Sequence, residues 1–236
     1  MINTGTIRTI VGIIGNVVSL CLFLSPIPTF VKIIKQKAVQ DFKADPYVAT
    51  VLNCAMWSFY GLPIVKEDSI LVTTINAVGL LIELIYVCIF FIFSPNHKRR
   101  RIAIALTVEV IFVAVVILIS IVALSTPKKR AMFVGILCII LNIIMYVSPL
   151  TVMRMVIKTK SVKYMPFFLS LASLCNGIIW VVYALLKFDL NVVLPNGLGA
   201  ISGLIQIILY AKYRKTTQWN DDDDPRNKPE VQLSSV

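Results

Sequence analysis

The chain has 236 residues, of which 58% are hydrophobic and 15% are charged. Soluble domains are about 45–50% apolar and about 25% charged, so a water-soluble fold of this length would leave too much apolar surface in water. The net charge of +11 is divided among short basic clusters that separate apolar runs. This arrangement argues against nucleic-acid binding and is typical of loops beside a membrane.

Seven apolar runs are long enough to cross about 30 Å of hydrocarbon as α-helices. Only two acidic residues, Glu83 and Glu109, carry charge within them. We therefore predict an all-α integral membrane protein with seven transmembrane helices. The predicted spans, in chain order, are 10–30, 47–64, 70–93, 102–124, 132–153, 167–186 and 190–210.

The distribution of Lys and Arg predicts the orientation of the chain. Seventeen of these residues lie in the first, third and fifth loops and the C-terminal tail, and six lie on the other side. Cytoplasmic loops carry the excess of basic residues, so we expect the N-terminus outside and the tail in the cytoplasm. The cluster at 128–130 is the exception. The segment 214–236, with four consecutive aspartates, is predicted to be a disordered acidic tail.

The sequence repeats itself at an offset of 123 residues. Nine of 29 positions are identical between 11–39 and 134–162, including a Ser-Pro pair and a Lys-x-Lys motif. Each repeat covers three spans, which predicts two parallel three-helix repeats joined by a linker helix (3+1+3). The first repeat is predicted at 1–95, the linker helix at 96–127 and the second repeat at 128–213. The alternative is a duplication kept only for packing. Beyond the aligned segment the matched pairs are Asn53 with Asn176, Trp57 with Trp180, Tyr60 with Tyr183 and, at an offset of 120, Asn76 with Asn196.

Four prolines flank the predicted spans at related places in the two repeats. Each removes a backbone donor and can kink or end a helix. They are either ordinary helix stops or hinges around a cytoplasmic mouth, and their symmetric placement favours hinges. The four are Pro26, Pro46, Pro149 and Pro166.

Asparagine and tryptophan side chains are matched by the repeat inside apolar spans. A buried amide is costly unless it is paired, and it offers both donors and an acceptor. Amides together with indoles suit a sugar, whose hydroxyls take hydrogen bonds and whose ring face packs on an aromatic side chain. The alternative is hydrogen bonding between helices. The residues are Asn53, Asn76, Asn176, Asn196, Trp57 and Trp180.

The roles of the two intramembrane acids determine whether the predicted sugar transport is passive or proton-coupled. Such groups are candidate proton relays, but Glu109 lies in the unpaired linker helix and Glu83 has Gln206 at its repeat position. We favour structural hydrogen bonding for both, hence passive, bidirectional movement. A proton-coupled carrier is the alternative, and a seven-helix receptor is a weaker one because a receptor has no reason for a 3+1+3 repeat.

Several longer motifs make the chain resemble the SWEET sugar transporters, the MtN3/saliva family of plants. They are LFLSPIPTF at 22–30, Pro46-Tyr47, TTINAVG at 73–79, YVSPLTVMRMVIKTKSVKYMPFFLSL at 146–171 and LPNGLGA at 194–200. The sequence pattern KADPY…TVLNCAMW…YGLP resembles that of the subgroup associated with hexoses. The resemblance implies a bidirectional sugar uniporter working by alternating access, not an enzyme, with no cofactor, no metal and no nucleic acid.

The resemblance also implies roles for individual residues. The four prolines match the hinges of an intracellular gate, and Tyr60 and Asp189, with Lys66, match an extracellular gate. Because Asn53, Met145 and Asn176 are bulky, a monosaccharide such as glucose, with fructose or galactose as further candidates, is expected rather than sucrose. The expected assembly is a trimer or another homo-oligomer, or a hetero-oligomer with paralogues, in the plasma membrane or, alternatively, the vacuolar membrane. Sugar-binding and pocket positions are Asn76, Asn196, Trp57, Trp180, Ser19, Leu22, Asn53, Asn142, Met145 and Asn176.

Overall fold

The structure is a computed structural model that describes residues 3–217 and 219. Over these residues the chain forms nine α-helices and no strand, which confirms the prediction of an all-α fold. The helices are α1 (Thr4–Leu24), α2 (Ile27–Gln36), α3 (Asp45–Tyr60), α4 (Ile70–Phe93), α5 (Asn96–Val122), α6 (Pro127–Met145), α7 (Val147–Thr159), α8 (Phe167–Leu186) and α9 (Leu190–Tyr213).

Two of the membrane passes are broken helices. Helices α1 and α2 are separated by a turn at Ser25 and Pro26, where the Ser25 amide bonds the Leu22 carbonyl at 3.1 Å. Helices α6 and α7 are separated at Tyr146. Counting each broken pair as one pass, the nine helices make the seven passes that the sequence predicts.

The predicted spans are approximate, and several of them, including the first two, differ in their bounds from the helices. The run 10–30 is helical from Thr4, where Asn3 caps the helix by accepting a hydrogen bond from Gly5, and it continues to Gln36 beyond the break. Six helical segments among the described residues are long and apolar enough to cross a membrane. Helix α3 is shorter, with 16 residues, because the chain turns at Gly61 rather than continuing to 64.

The chain forms two compact units. The middle unit is Phe30–Asn142, and the split unit combines Met1–Thr29 with Ile143–Val236. The core of the middle unit is an aromatic cluster in which Phe30 stacks on Tyr86 at 4.1 Å, with Tyr47 and Phe90 against the edges. This cluster fixes the start of α3 against the second half of α4.

The split unit is built on close contact between α8 and α9, with α1 packed against α8. A Cβ atom on Gly177 would lie 2.7 Å from the Ala200 amide nitrogen and 2.8 Å from the Asn196 carbonyl oxygen. A Cβ atom on Gly203 would lie 2.9 Å from the Leu174 backbone. The two glycines therefore allow the helix backbones to touch, as small residues do in membrane proteins.

Apolar side chains cover much of the surface of α5. Val110 is 68% exposed and Val122 is 75% exposed, and the helix has few buried residues along its length. Such a surface would be unfavourable in water but is the normal surface of a helix in contact with lipid tails.

The basic cluster at 128–130, which departs from the charge pattern, has a structural role through Arg130. Its guanidinium donates to the carbonyls of Ser120 and Leu124 at the end of α5, at 3.0 and 2.9 Å. It also donates to the Ile64 carbonyl at 3.3 Å. A cation at the C-terminus of a helix satisfies carbonyls that have no helical partner, so Arg130 is retained there for packing.

The start of the predicted tail is tied to the loop between α7 and α8. The Thr216 hydroxyl donates to the Lys160 carbonyl at 2.6 Å, and the Thr217 hydroxyl accepts from the Val162 amide at 2.9 Å. Residues 214–217 are therefore anchored at this point of the chain. The acidic run at 221–224 lies outside the described residues.

We expect Gly177→Ala to destabilise the protein by about 1–3 kcal/mol, because the added methyl group overlaps the backbone of α9. Thermal unfolding of the purified protein in detergent measures the effect. Gly197→Ala is the matched control, since a Cβ atom there meets nothing within 4 Å and alanine favours the helix. Equal stability of both variants would contradict the close packing of α8 on α9.

Candidate functional site

Asn76 and Asn196 have the same local geometry in the two units. The side-chain nitrogen of Asn76 donates to the Val72 carbonyl one turn earlier in α4, at 2.9 Å. The side-chain nitrogen of Asn196 donates to the Val192 carbonyl in α9, at 2.8 Å. Each bond fixes the amide on its own helix, so both side chains are held in one orientation before any ligand binds.

The two tryptophans also have matching surroundings. Trp57 packs on Tyr60 with ring centroids 5.3 Å apart and planes 77° apart. Trp180 packs on Tyr183 at 5.2 Å and 73°. Edge-to-face contact of this kind fixes the indole planes, and both pairs follow the repeat of the sequence.

A chain of hydrogen bonds connects α1 to α8 in the split unit. The Ser19 hydroxyl donates to the Asn176 side-chain oxygen at 2.6 Å, and the Trp180 indole nitrogen donates to the Ser19 oxygen at 3.0 Å. All three side chains are buried. Three residues that the sequence assigns to one site are therefore in direct contact.

A small cavity of about 30 Å³ lies next to this chain of hydrogen bonds. This volume is far below the roughly 300–1,000 Å³ of a typical small-molecule site. Its lining, within the split unit, includes four residues that the sequence predicts for the site or the gate, together with other polar residues that it does not predict. The residues are Leu22, Pro149, Asn176 and Asn196, with Tyr146 and Gln206.

In the middle unit, two buried amide oxygens have no hydrogen-bond partner among the described residues. They belong to Asn53 on α3, which is 4% exposed, and Asn142 on α6, which is 1% exposed. A buried acceptor without a partner is unfavourable by about 1–3 kcal/mol. Such atoms are typical of a site where a ligand supplies the missing donor.

The prolines lie where helices begin or break. Pro26 lies in the turn between α1 and α2, and Pro149 is in the first turn of α7, just after the break at Tyr146. Pro46 is in the first turn of α3, and Pro166 is the N-cap of α8. Proline is favoured in these positions because it lacks the amide hydrogen that would have no helical partner there.

The residues predicted for an extracellular gate lie at helix ends. Tyr60 is the last residue of α3 and is fully buried. Asp189 caps α9 by accepting a hydrogen bond from the Asn191 amide at 3.2 Å. Lys66 lies in the segment between α3 and α4.

Met145, a predicted pocket residue, is the last residue of α6 and is buried.

Arg8, which contacts Tyr183 in the split unit, is not among the residues that the sequence predicts for the site. Its guanidinium lies 4.0 Å from the centre of the Tyr183 ring, and its Nε donates to the Tyr183 carbonyl at 3.3 Å. The Tyr183 ring in turn packs against the indole of Trp180. The repeat could not reveal it, because the matched position is Ala131.

Tyr146 is the second missed residue. Its hydroxyl donates to the Pro195 carbonyl at 2.6 Å, next to Asn196. Gly199 makes room for it, since a Cβ atom there would lie 2.8 Å from the hydroxyl. In the other repeat, Phe23 is at the position of Tyr146 and Ile75 is at the position of Pro195. This pair has neither the hydroxyl nor the proline, so comparison of the repeats could not indicate the bond.

The fold is that of a membrane transporter with two three-helix repeats and a linker helix. The family profile described as "Sugar efflux transporter for intercellular exchange" (MtN3) matches residues 9–98 and 132–218. The chain belongs to this family, the SWEET sugar transporters, which are not enzymes.

Relatives and a solved structure agree. The chain is 62% identical to the bidirectional sugar transporter SWEET5 of Arabidopsis thaliana over 97% of its length and 95% of that protein. It is 56% identical to SWEET4 of the same plant, over 94% and 88%. A solved eukaryotic SWEET transporter has the same fold, with a TM-score of 0.87 and 37% identity over 90% of this chain and 99% of that one.

We expect Tyr146→Phe to lower the free energy of unfolding by about 1 kcal/mol, because the bond to the Pro195 carbonyl is lost inside the split unit. Tyr210→Phe is the control, since the Tyr210 ring packs on Phe167 and its hydroxyl makes no hydrogen bond within the described part of the chain. Thermal unfolding measures both variants. A loss of the same size in the control would contradict the assignment.

Proposed function

We propose that this SWEET transporter is a bidirectional, facilitative uniporter for monosaccharides, with glucose as its main substrate. The observation that carries the proposal is the set of buried side-chain amides without full partners, above all Asn53 and Asn142. The curated relatives are named as bidirectional sugar transporters, which supports the direction of movement.

The amides are suited to hydroxyl groups. A carboxamide oxygen accepts a hydrogen bond, and each carboxamide nitrogen has two hydrogens to donate. In Asn76 and Asn196 one hydrogen is used on the helix itself, so the second hydrogen and the oxygen serve the sugar. A sugar hydroxyl is both donor and acceptor, and it can therefore satisfy either end of an amide.

The indoles of Trp57 and Trp180 serve the apolar face of the ring. Both indoles are buried and fixed by tyrosine neighbours. The bulk of Asn53, Met145 and Asn176 favours a monosaccharide over sucrose, which is the alternative substrate. The cavity of the split unit is small, so a sugar needs a rearrangement that opens it.

Movement without proton coupling is supported by the placement of the acids. Glu83 lies seven residues beyond Asn76 on α4, about 10 Å along the helix axis. Glu109 lies on α5, which carries none of the proposed sugar-binding residues. Neither carboxylate is therefore adjacent in sequence to a sugar-binding amide, and proton-coupled uptake is the less favoured alternative.

Alternating access is the proposed mechanism, with Pro26, Pro46, Pro149 and Pro166 as hinges of the intracellular gate. The breaks at Pro26 and before Pro149 are places where a helix can bend without losing hydrogen bonds. Tyr60, Asp189 and Lys66 are proposed for the extracellular gate. We further propose an N-terminus outside the cell, location in the plasma membrane and a homo-oligomer such as a trimer.

We expect Asn76→Ala and Asn196→Ala each to reduce glucose exchange about tenfold or more, because a bond to a sugar hydroxyl is lost in a buried site. Counterflow of radiolabelled glucose in proteoliposomes measures the loss at equal protein content. Thr74→Ala, on an exposed face of α4, is the control and should exchange normally. Normal exchange by both asparagine variants would overturn the site.

We expect the wild-type protein to exchange glucose faster than sucrose, at a rate that does not depend on an imposed pH gradient. Glu83→Gln should behave in the same way, because its carboxyl group does not carry the coupled proton. Accumulation of glucose driven by the gradient, and lost in Glu83→Gln, would instead establish a proton-coupled carrier. Exchange of sucrose alone would overturn the argument from side-chain size.

A further inference from the structure

A second, larger cavity lies entirely within the middle unit and shares none of the proposed sugar-binding residues. Its volume is about 550 Å³, which is in the usual range for a small-molecule site of about 300–1,000 Å³. It lies between α5 on one side and the segment 40–44 with the first turns of α3 on the other. Phe90 and Ser94 at the end of α4 complete the wall.

One face of α5 lines the length of this cavity. Lys98, Arg101, Ala105 and Glu109 all lie on its wall, and they are spaced by three or four residues. Residues at this spacing share one face of a helix. From Lys98 to Glu109 the face extends about 16 Å along the axis, with bases at one end, a carboxyl group at the other and apolar residues between.

The basic end has features that favour an anion. Lys43, Lys98 and Arg101 line it. Helix α5, with 27 residues, begins at Asn96, two residues before Lys98, and its N-cap Pro95 provides no side-chain cap for the first amides. Helix N-termini with open amides attract anions.

A second observation at the same end points to a ligand. Ser94 is one of the residues that line the cavity; it is 3% exposed, and its hydroxyl oxygen has no hydrogen-bond partner among the described residues. A buried hydroxyl is normally paired, so a ligand oxygen here would satisfy it.

The acidic groups lie at both ends of the cavity, and those at the basic end are paired or exposed. Asp45 is paired with Arg101 at 3.0 Å, and Asp41 lies on the exposed rim. Lys98 uses one of its three hydrogens on the Gln40 carbonyl at 3.0 Å, which leaves two for a ligand. At the far end, one buried carboxylate oxygen of Glu109 has no partner among the described residues. A carboxylate accepts hydrogen bonds, so this end favours hydroxyl groups.

We propose that the cavity binds a phosphorylated polyol, with the phosphate at Lys98, Lys43 and Ser94 and the hydroxyl groups directed toward Glu109. The ligand chemistry is that of a sugar phosphate, and the headgroup of an inositol phospholipid shares it. A ligand in this position contacts both α5 and the segment leading into Pro46, and thus joins two elements of the middle unit.

The test is thermal unfolding of the full chain in detergent, titrated with glucose 6-phosphate, glucose, inorganic phosphate and mixed micelles of phosphatidylinositol. Glucose 6-phosphate should raise the unfolding temperature in a saturable way and at lower concentration than inorganic phosphate. An effect of phosphatidylinositol micelles without one of glucose 6-phosphate would support the same site with a lipid as the source. No effect of either would overturn the proposal.

Variants separate the two ends of the site. Lys98→Gln and Ser94→Ala should weaken the response to glucose 6-phosphate about tenfold or more, while the response to glucose stays unchanged. Glu109→Gln should keep the response to inorganic phosphate and lose the advantage of glucose 6-phosphate over it. Ser94→Ala leaves the Lys98–Gln40 contact intact, so its result does not depend on that contact.

Arg100→Gln is the matched control, because it removes the same charge from α5 at a position outside the cavity wall. It should respond as the wild type does. An equal loss in Arg100→Gln would show attraction by general positive charge and overturn the site. Equal responses of the wild type to inorganic phosphate and glucose 6-phosphate would overturn the role of Glu109.

Discussion

The contact between the backbones of α8 and α9 determines the geometry of the split unit. It depends on Gly177 and Gly203, where even a methyl group would meet backbone atoms within 3 Å. Because Asn176 precedes Gly177, and Asn196 provides the carbonyl that Gly177 approaches, the same contact places both amides beside one cavity. The packing of α8 on α9 and the proposed binding of sugar therefore depend on the same contact, because separating the two helices would also move the two amides apart.

Burial of polar groups in an apolar medium is the second constraint. The chain meets it locally, with amides bonded to carbonyls of their own helix and Arg130 on the carbonyls that end α5. Since unpaired polar atoms are unfavourable in hydrocarbon, the ones that remain deserve a functional explanation. In the middle unit they include atoms of Asn53 and Asn142 in the proposed sugar site, and of Ser94 and Glu109 around the larger cavity.

The sequence predicted the seven passes, and it indicated the residues proposed for the site, because both depend on local or repeated signals. Apolar run length located the helices, and the repeat located the asparagines and tryptophans. Helices α2 and α7 continue past the predicted span ends at 30 and 153, since a proline ends hydrogen bonding at one point without preventing helix beyond it. The contacts of Arg8 and Tyr146 could not be predicted, because they join residues far apart in the chain and have no counterpart in the other repeat.

The bond from Tyr146 to Pro195 makes the two repeats unequal, since Phe23 and Ile75 stand at the matched positions. In a passive carrier such an inequality has a defined thermodynamic limit. It can make the inward and outward half-reactions differ in rate and in apparent affinity, because each involves different bonds. It cannot create a difference in sugar concentration at equilibrium, since the product of rate constants around a closed cycle is fixed by detailed balance. In a carrier of this kind, the sugar concentrations on the two sides of the membrane set the direction of net flow, and the carrier sets only the rate.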